Sequence, residues 1–191
     1  MANASSTGFG MKPVKMAGQS ANTAGLGEYP VAASSSAIYN QDLVAAATSG
    51  FAAVAAAGTE QLLGSLNGVF YTDSSTSKPT FQAYLLGSNT ASDIVALVND
   101  DPHQMYEIRS NASSSQQLDV GNTADISYSA GASPNYISRT TLDDSSLSDS
   151  ASKQVKIVGV SRDPDNNEIG SANVVWRVII SEHFFKQHVG V

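Results

Sequence analysis

The sequence predicts a mainly β protein, a small antiparallel β-barrel or β-sandwich with an extended N-terminal arm. Three observations predict it. Between residues 37 and 191 short apolar runs alternate with turn-forming clusters, at spacings near those of sandwiches and barrels. The C-terminal part holds two alternating apolar runs separated by a loop of Asp, Asn and Pro. Residues 1–36, by contrast, are rich in Gly, Ser, Asn and Ala.

Residues 1–36 read as the arm and residues 37–191 as a single β-rich domain. Met1 to Gly10 is small and polar, and Met11-Lys12-Pro13-Val14-Lys15-Met16 is a short extended stretch. Ala17 to Gly27 carries too little apolar surface to offset the entropy of ordering it. Phe9, Met11, Pro13, Val14 and Met16 are the candidate contact residues of an arm that orders against a partner. A frayed terminus is the alternative.

Ala37-Ile38-Tyr39 then leads into Asp42-Leu43-Val44, and Phe51 to Ala57 returns after a turn at Ser49-Gly50. Leu62 to Tyr71 reads as a strand bent or bulged by Gly64 and Gly68. Alanine content alone makes Leu43 to Leu66 a helix candidate, which Gly50, Gly58 and Gly64 oppose. Thr80 to Leu85, Ile94 to Val98 and Met105 to Arg109 follow, the last with Tyr106 and Ile108 on one face. Asp125 to Ser129 and Tyr136 to Thr141 are weaker strands. Asn111 to Gln117 and Leu142 to Asp149 are loops with room for one helical turn. Gln154 to Val160 and Asn173 to Ile180 form a long hairpin across Arg162 to Glu168.

Composition narrows the function. Charged residues are 14%, against roughly 25% in an ordinary globular protein. Such a surface, polar without being charged, suits a chain whose neighbours are other proteins. The net charge is -7, and ten Lys and Arg spread singly along the chain do not build the basic face a nucleic-acid binder needs. The same scarcity argues against an anionic membrane surface. No apolar run reaches the roughly 20 residues that span a bilayer, and Met1 to Gly10 lacks the regions of a signal peptide. Without cysteine there is no disulfide, thiolate nucleophile or Cys-ligated zinc.

The candidate chemical motifs all have simpler readings. Asp163-Pro164-Asp165-Asn166-Asn167-Glu168 has calcium-loop oxygen spacing, but Glu168 stands where the sharp turn requires glycine. Asp100-Asp101-Pro102-His103 reads as an exposed turn. His183 and His188 are five apart, not the four that put two zinc ligands on one helical face, and they flank Phe184-Phe185. Gly64-Ser65-Leu66-Asn67-Gly68 has Leu66 where a nucleophile elbow has serine, and Gly25-Leu26-Gly27 lacks the third glycine of a dinucleotide loop. The expectation is therefore no catalysis, no cofactor and no metal. Trp176 belongs to the core. Tyr71, Tyr84, Tyr106, Tyr128 and Tyr136 are scattered along the chain, which counts against a carbohydrate-binding domain, the runner-up reading.

The order of motifs resembles a family. Gly8-Phe9-Gly10-Met11-Lys12-Pro13-Val14 is similar to a Gly-Phe-Gly-x-x-Pro-Val opening. Ala37-Ile38-Tyr39-Asn40-Gln41-Asp42-Leu43-Val44 is similar to an apolar-x-x-Gly-Asp-x-Val signature, with Gln41 where glycine is usual. Leu63 to Tyr71, Lys78 to Phe81, Asp93 to Pro102 and Val158 to Asn166 continue the likeness over nearly the whole chain. Together they resemble capsid decoration (cement) proteins of tailed bacteriophages, of the marine phage type. The resemblance implies a β-barrel or β-sandwich with an arm, made in the host cytoplasm and bound to the outside of the virion shell. It implies the major capsid protein as partner, trimers as the favoured oligomer, and no catalytic residues. Another virion part, or a surface glycan-binding β-domain, is the alternative.

Overall fold

The last third of the chain organises the first sheet. In the computed structural model, which describes residues 3–18, 25–59 and 61–186, the expected hairpin pairs two strands. They are β12 (Val155–Val160) and β13 (Val175–Ile180), antiparallel with a bulge at Val158. Their alternation puts Val155, Ile157, Trp176, Val178 and Ile180 on one buried face. Next to β13 lies β8 (Gln104–Arg109), whose Tyr106 and Ile108 join that face. β9 (Thr123–Ala124) completes the far side. Sheet 1 is thus mainly antiparallel and built around non-local pairs.

Sheet 2 contains β2 (Gly27–Pro30), β7 (Val95–Asn99), β5 (Leu62–Thr72), β3 (Leu43–Ala46) and β4 (Ala52–Val54) in that order. The eleven-residue β5 outruns β3, and its far half pairs β6 (Pro79–Gln82) instead. The alanine-rich stretch is strand rather than helix. A two-stranded ribbon joins β10 (Ile126–Ser127) to β11 (Thr141–Leu142). The fold is mainly β and sandwich-like, and the described residues form no closed barrel.

Two cores result. Leu43, Ala45 and Leu62 of sheet 2 pack with the inner face of sheet 1 around Trp176 and Tyr106. Val44, Leu63, Val69, Ala96 and Val98, on the other side of sheet 2, are covered by Val31, Ile38, Leu85, Ala91 and Ile94 from the connecting segments. Gln154 fastens the sheets: its Oε1 accepts from Ile126 N–H (2.9 Å), and its Nε2 donates to the carbonyls of Ala56 (2.8 Å) and Thr59 (3.1 Å).

The N-terminal arm is corrected by these contacts. β1 (Lys12–Met16) is an edge strand of sheet 1, paired with β8. β2, also inside the expected arm, is an edge strand of sheet 2. The Asn3 side chain donates to the carbonyls of Ala172 (2.8 Å) and Glu168 (3.2 Å) and accepts from Glu168 N–H (2.9 Å). The physical reason is that a single edge strand needs little apolar surface when its backbone saturates a ladder. Lys12, Pro13, Lys15 and the bulge between them also blunt the free edge against further pairing. Residues 19–24 of the arm reading lie outside the described residues.

Gly10 and Gln41 interlock where this segment meets the domain. Gly10 has φ +75°, and a Cβ on it would stand 2.3 Å from the Gln41 carbonyl oxygen. Gln41 itself has φ +66°. Gln41 thus takes the left-handed backbone that glycine adopts most readily. A left-handed residue with a Cβ costs about 1–2 kcal/mol, and the buried Gln41 Oε1 finds no hydrogen-bond partner among the described residues. Gln41→Gly is expected to raise the unfolding free energy by about 1 kcal/mol in urea melts, the relief of strain being partly offset by the added entropy of the unfolded chain; a loss of stability would contradict this account.

Candidate docking face

Register decides which side chains of sheet 2 share a face. Directly opposed residues in an antiparallel pair point the same way. Ser65 opposes both Leu43 and Asn99, so the face that packs against sheet 1 near Leu43 continues through Leu97 and Val95 to Phe70 and Phe81. Sheet 1 covers only the first part. Beyond it, Phe70 is 47% and Phe81 57% exposed, opposed to one another across β5 and β6. Val95 and Leu97 are half-buried beside them, and Pro30 of β2 continues the row opposite Val95. Gly68 leaves room for the Phe81 ring, which a Cβ there would meet at 2.6 Å. The result is an apolar, aromatic overhang crossing four strands.

The outer face of sheet 1 is its chemical opposite. Lys12, Lys15, Arg109, Lys156 and Arg177 share it with Glu107, Met105 and Ile179. Half of the ten basic residues thus gather there, against the sequence expectation of an even spread, because alternate positions on paired strands face one way. Several are internally engaged. Arg177 pairs with Glu107 (3.3 Å), and Arg109 donates to the Ser5 carbonyl (3.1 Å) and to Asn173. Lys12, Lys15 and Lys156 remain exposed.

Just past the C-terminal end of β6 three tyrosines converge from distant segments. Tyr84 stacks on Tyr136 at 4.2 Å, and Tyr39 lies parallel to Tyr136 at 6.4 Å with an interplanar angle of 3°. All three are half-buried. Tyr136 sits at φ +50° after a turn closed by its N–H on the Ala132 carbonyl (2.9 Å). Gly131 lets Tyr39 lie against the loop backbone, since a Cβ there would meet the ring at 2.8 Å. The scatter expected from the sequence is therefore not a scatter in space for these residues. Tyr71 and Tyr106 are buried in the two cores.

Asp42 lies fully buried in the turn beside this cluster. Its Oδ2 accepts from Tyr39 N–H (2.7 Å) and its Oδ1 has no partner among the described residues. Burial pushes its carboxyl up to about 6, an effect the Tyr39 N–H and the Ser138 hydroxyl only partly offset. Burial also raises the Tyr128 phenol, helped by the charge of Asp42. His183, buried at the end of sheet 2, accepts from Phe185 N–H at Nδ1 (3.2 Å). Its desolvation, with Lys186 nearby, brings it down to about 4 against the opposing pull of Asp100 and Asp101.

The arm residues fare differently. Met11 is in the sheet 1 core and Met16 is buried, so neither is an accessible contact in this fold. Phe9, Pro13 and Val14 are half-buried and stay beside the domain's own surface. Asp100 and Asp101 form a turn, in which Asp101 Oδ1 accepts from His103 N–H (2.7 Å) and Asp100 Oδ2 from the Tyr29 hydroxyl (2.6 Å). Asp163 holds an equivalent turn through Asp165 N–H (3.1 Å) and the Asn166 amide (2.6 Å). His188 lies outside the described residues. The sequence reading missed the exposure of Phe70 and Phe81. The signal was their spacing from Gly68 across a hairpin, readable only once the register is known.

Comparison with protein-family models, with curated proteins and with solved structures finds no match.

Proposed function

We propose that this chain is a structural virion protein of a tailed bacteriophage, without catalytic activity, that binds the outside of the capsid shell and stabilises it. The observation that carries this reading is the aromatic overhang of Phe70 and Phe81, flanked by Val95, Leu97 and Pro30. A contiguous exposed apolar face marks a surface that another protein covers. Aromatic anchors depleted of charge are what the centre of a long-lived interface uses. The motif order that resembles decoration proteins supplies the partner, the major capsid protein.

The physical action is linkage. A protein that binds the assembled shell and not its separated subunits shifts the balance toward the shell. Many copies on symmetric sites, in trimers on this reading, multiply a modest contact. The overhang faces the coat, and the lysine-bearing face of sheet 1 turns to solvent. The arm takes no part, because its residues are engaged in their own domain.

The test is a binding assay on purified particles with Phe70→Ser and Phe81→Ser variants, followed by electron microscopy. Wild-type density is expected on the shell exterior. The double variant is expected to lose binding by at least about tenfold, equivalent to about 1.4 kcal/mol, with an unchanged melting temperature. Full occupancy by the double variant would overturn the assignment of this face.

A further inference from the structure

We propose that the tyrosine stack of Tyr39, Tyr84 and Tyr136 is a second binding site, for a neutral oligosaccharide, separate from the overhang. The stack has a structural task, since it holds the 131–137 loop against the domain. That task does not account for how it is built. A stack serving only to close a loop would bury its rings and satisfy its polar ends. Here all three residues keep part of their surface exposed. The hydroxyls of Tyr39, Tyr84 and Tyr136, with that of Tyr128, make no hydrogen bond to the described residues, whereas those of Tyr29 and Tyr106 do.

The chemistry points to a sugar. Tyrosine offers a rigid apolar face and a hydroxyl with little entropy to lose on binding. A saccharide has the complementary form, apolar C–H faces bordered by hydroxyls. Asn135, next to Tyr136 in the chain, and Asn67, whose carbonyl holds Asn40 beside Tyr39, are both exposed and offer further donors and acceptors. Asn40 is held in place by its amide on the carbonyls of Asn67 (3.0 Å) and Ala83 (3.3 Å). Tyr136 keeps its place in a left-handed conformation that a bulky residue adopts only when its surroundings fix it. The ligand class is neutral because the stack contains no lysine or arginine and the chain carries a net charge of -7, which disfavours acidic sugars.

The experiment uses the full chain with chitohexaose, laminarihexaose and maltohexaose, read by saturation-transfer NMR and titration of tyrosine fluorescence. At least one is expected to bind with a Kd near 1 mM, about the affinity of a shallow site. Tyr84→Ala and Tyr136→Gly, the latter suited to the left-handed backbone, are expected to weaken it at least tenfold. Tyr84→Trp keeps the stacking face and is expected to retain binding. Phe81→Ser, on the overhang, is expected to leave it unchanged, so loss of capsid binding and loss of sugar binding separate cleanly. Thermal melts show whether each variant is folded. No saturation transfer from the wild-type protein to any of the three saccharides, or equal transfer from folded Tyr84→Ala and Tyr136→Gly, would overturn the proposal.

Discussion

Replacing Met11 with alanine is expected to lower the unfolding free energy by about 2–5 kcal/mol in urea denaturation, the usual range for removing a buried methionine side chain. Met11 is fully buried in the core shared with Trp176 and Tyr106, and its N–H donates to the Gln41 carbonyl (2.8 Å). Truncation would leave a cavity beside a backbone that the Gly10–Gln41 interlock holds rigidly, so little collapse can compensate. An arm that waited for a partner would behave otherwise: its methionine would be dispensable in the free protein. Deletion of residues 1–20 is by the same reasoning an unfolding lesion, because it removes an edge strand and a core side chain together. A Met11→Ala variant as stable as the wild type would restore the arm.

The second large effect is a hidden dependence on pH. Asp42 has a folded-state value of about 6, above its ordinary 3.8. The folded protein therefore holds this proton more tightly than the unfolded chain does. Its contribution is fully present below about 4 and is lost as pH rises to about 6, a swing of about 3 kcal/mol. His183 runs the other way. Its folded-state value of about 4 lies below the ordinary 6.5, so its contribution is present above 6.5 and is lost as pH falls toward 4. The two oppose one another across the same window and mask each other in the wild type. In Asp42→Asn, stability relative to wild type is expected to climb by about 2 kcal/mol between pH 4 and 6, and by about 3 kcal/mol over the whole transition. In His183→Gln the relative stability is expected to fall over that range. Denaturation at a series of pH values checks both. A flat Asp42→Asn difference curve would mean that the buried carboxyl does not ionise across this window.

Much of the framework was legible in the residues. The β12–β13 hairpin and β8 declare themselves because strict alternation survives in them: Val155 and Ile157 inward with Lys156 outward, Tyr106 and Ile108 inward with Glu107 outward. The acid-rich turns at 100–103 and 163–168 were legible for the same local reason, that Asp side chains cap backbone N–H groups two residues on. β1 was not, because two lysines and a proline hide a strand whose partner lies ninety residues away. The candidate faces were hidden more deeply. Phe70 closes an apolar run and Phe81 sits in a loosely alternating one, and both look like core until the register shows sheet 1 stopping short of them. The tyrosines at 39, 84 and 136 belong to segments without periodicity, and only the tertiary fold sets them side by side.

The anchoring of Asn3 has a consequence for how the chain comes together. Its three hydrogen bonds reach Glu168 and Ala172, separated from it by 165 and 169 positions. The residues around Asn3 therefore wait for their sites until the segment at 168–172 has left the ribosome. Acquisition of structure is then closer to a single late closure than to stepwise growth from the amino end, and so many distant pairings predict slow kinetics. A nascent chain stalled before the final hairpin would hold apolar strands with no lid, a natural substrate for chaperones.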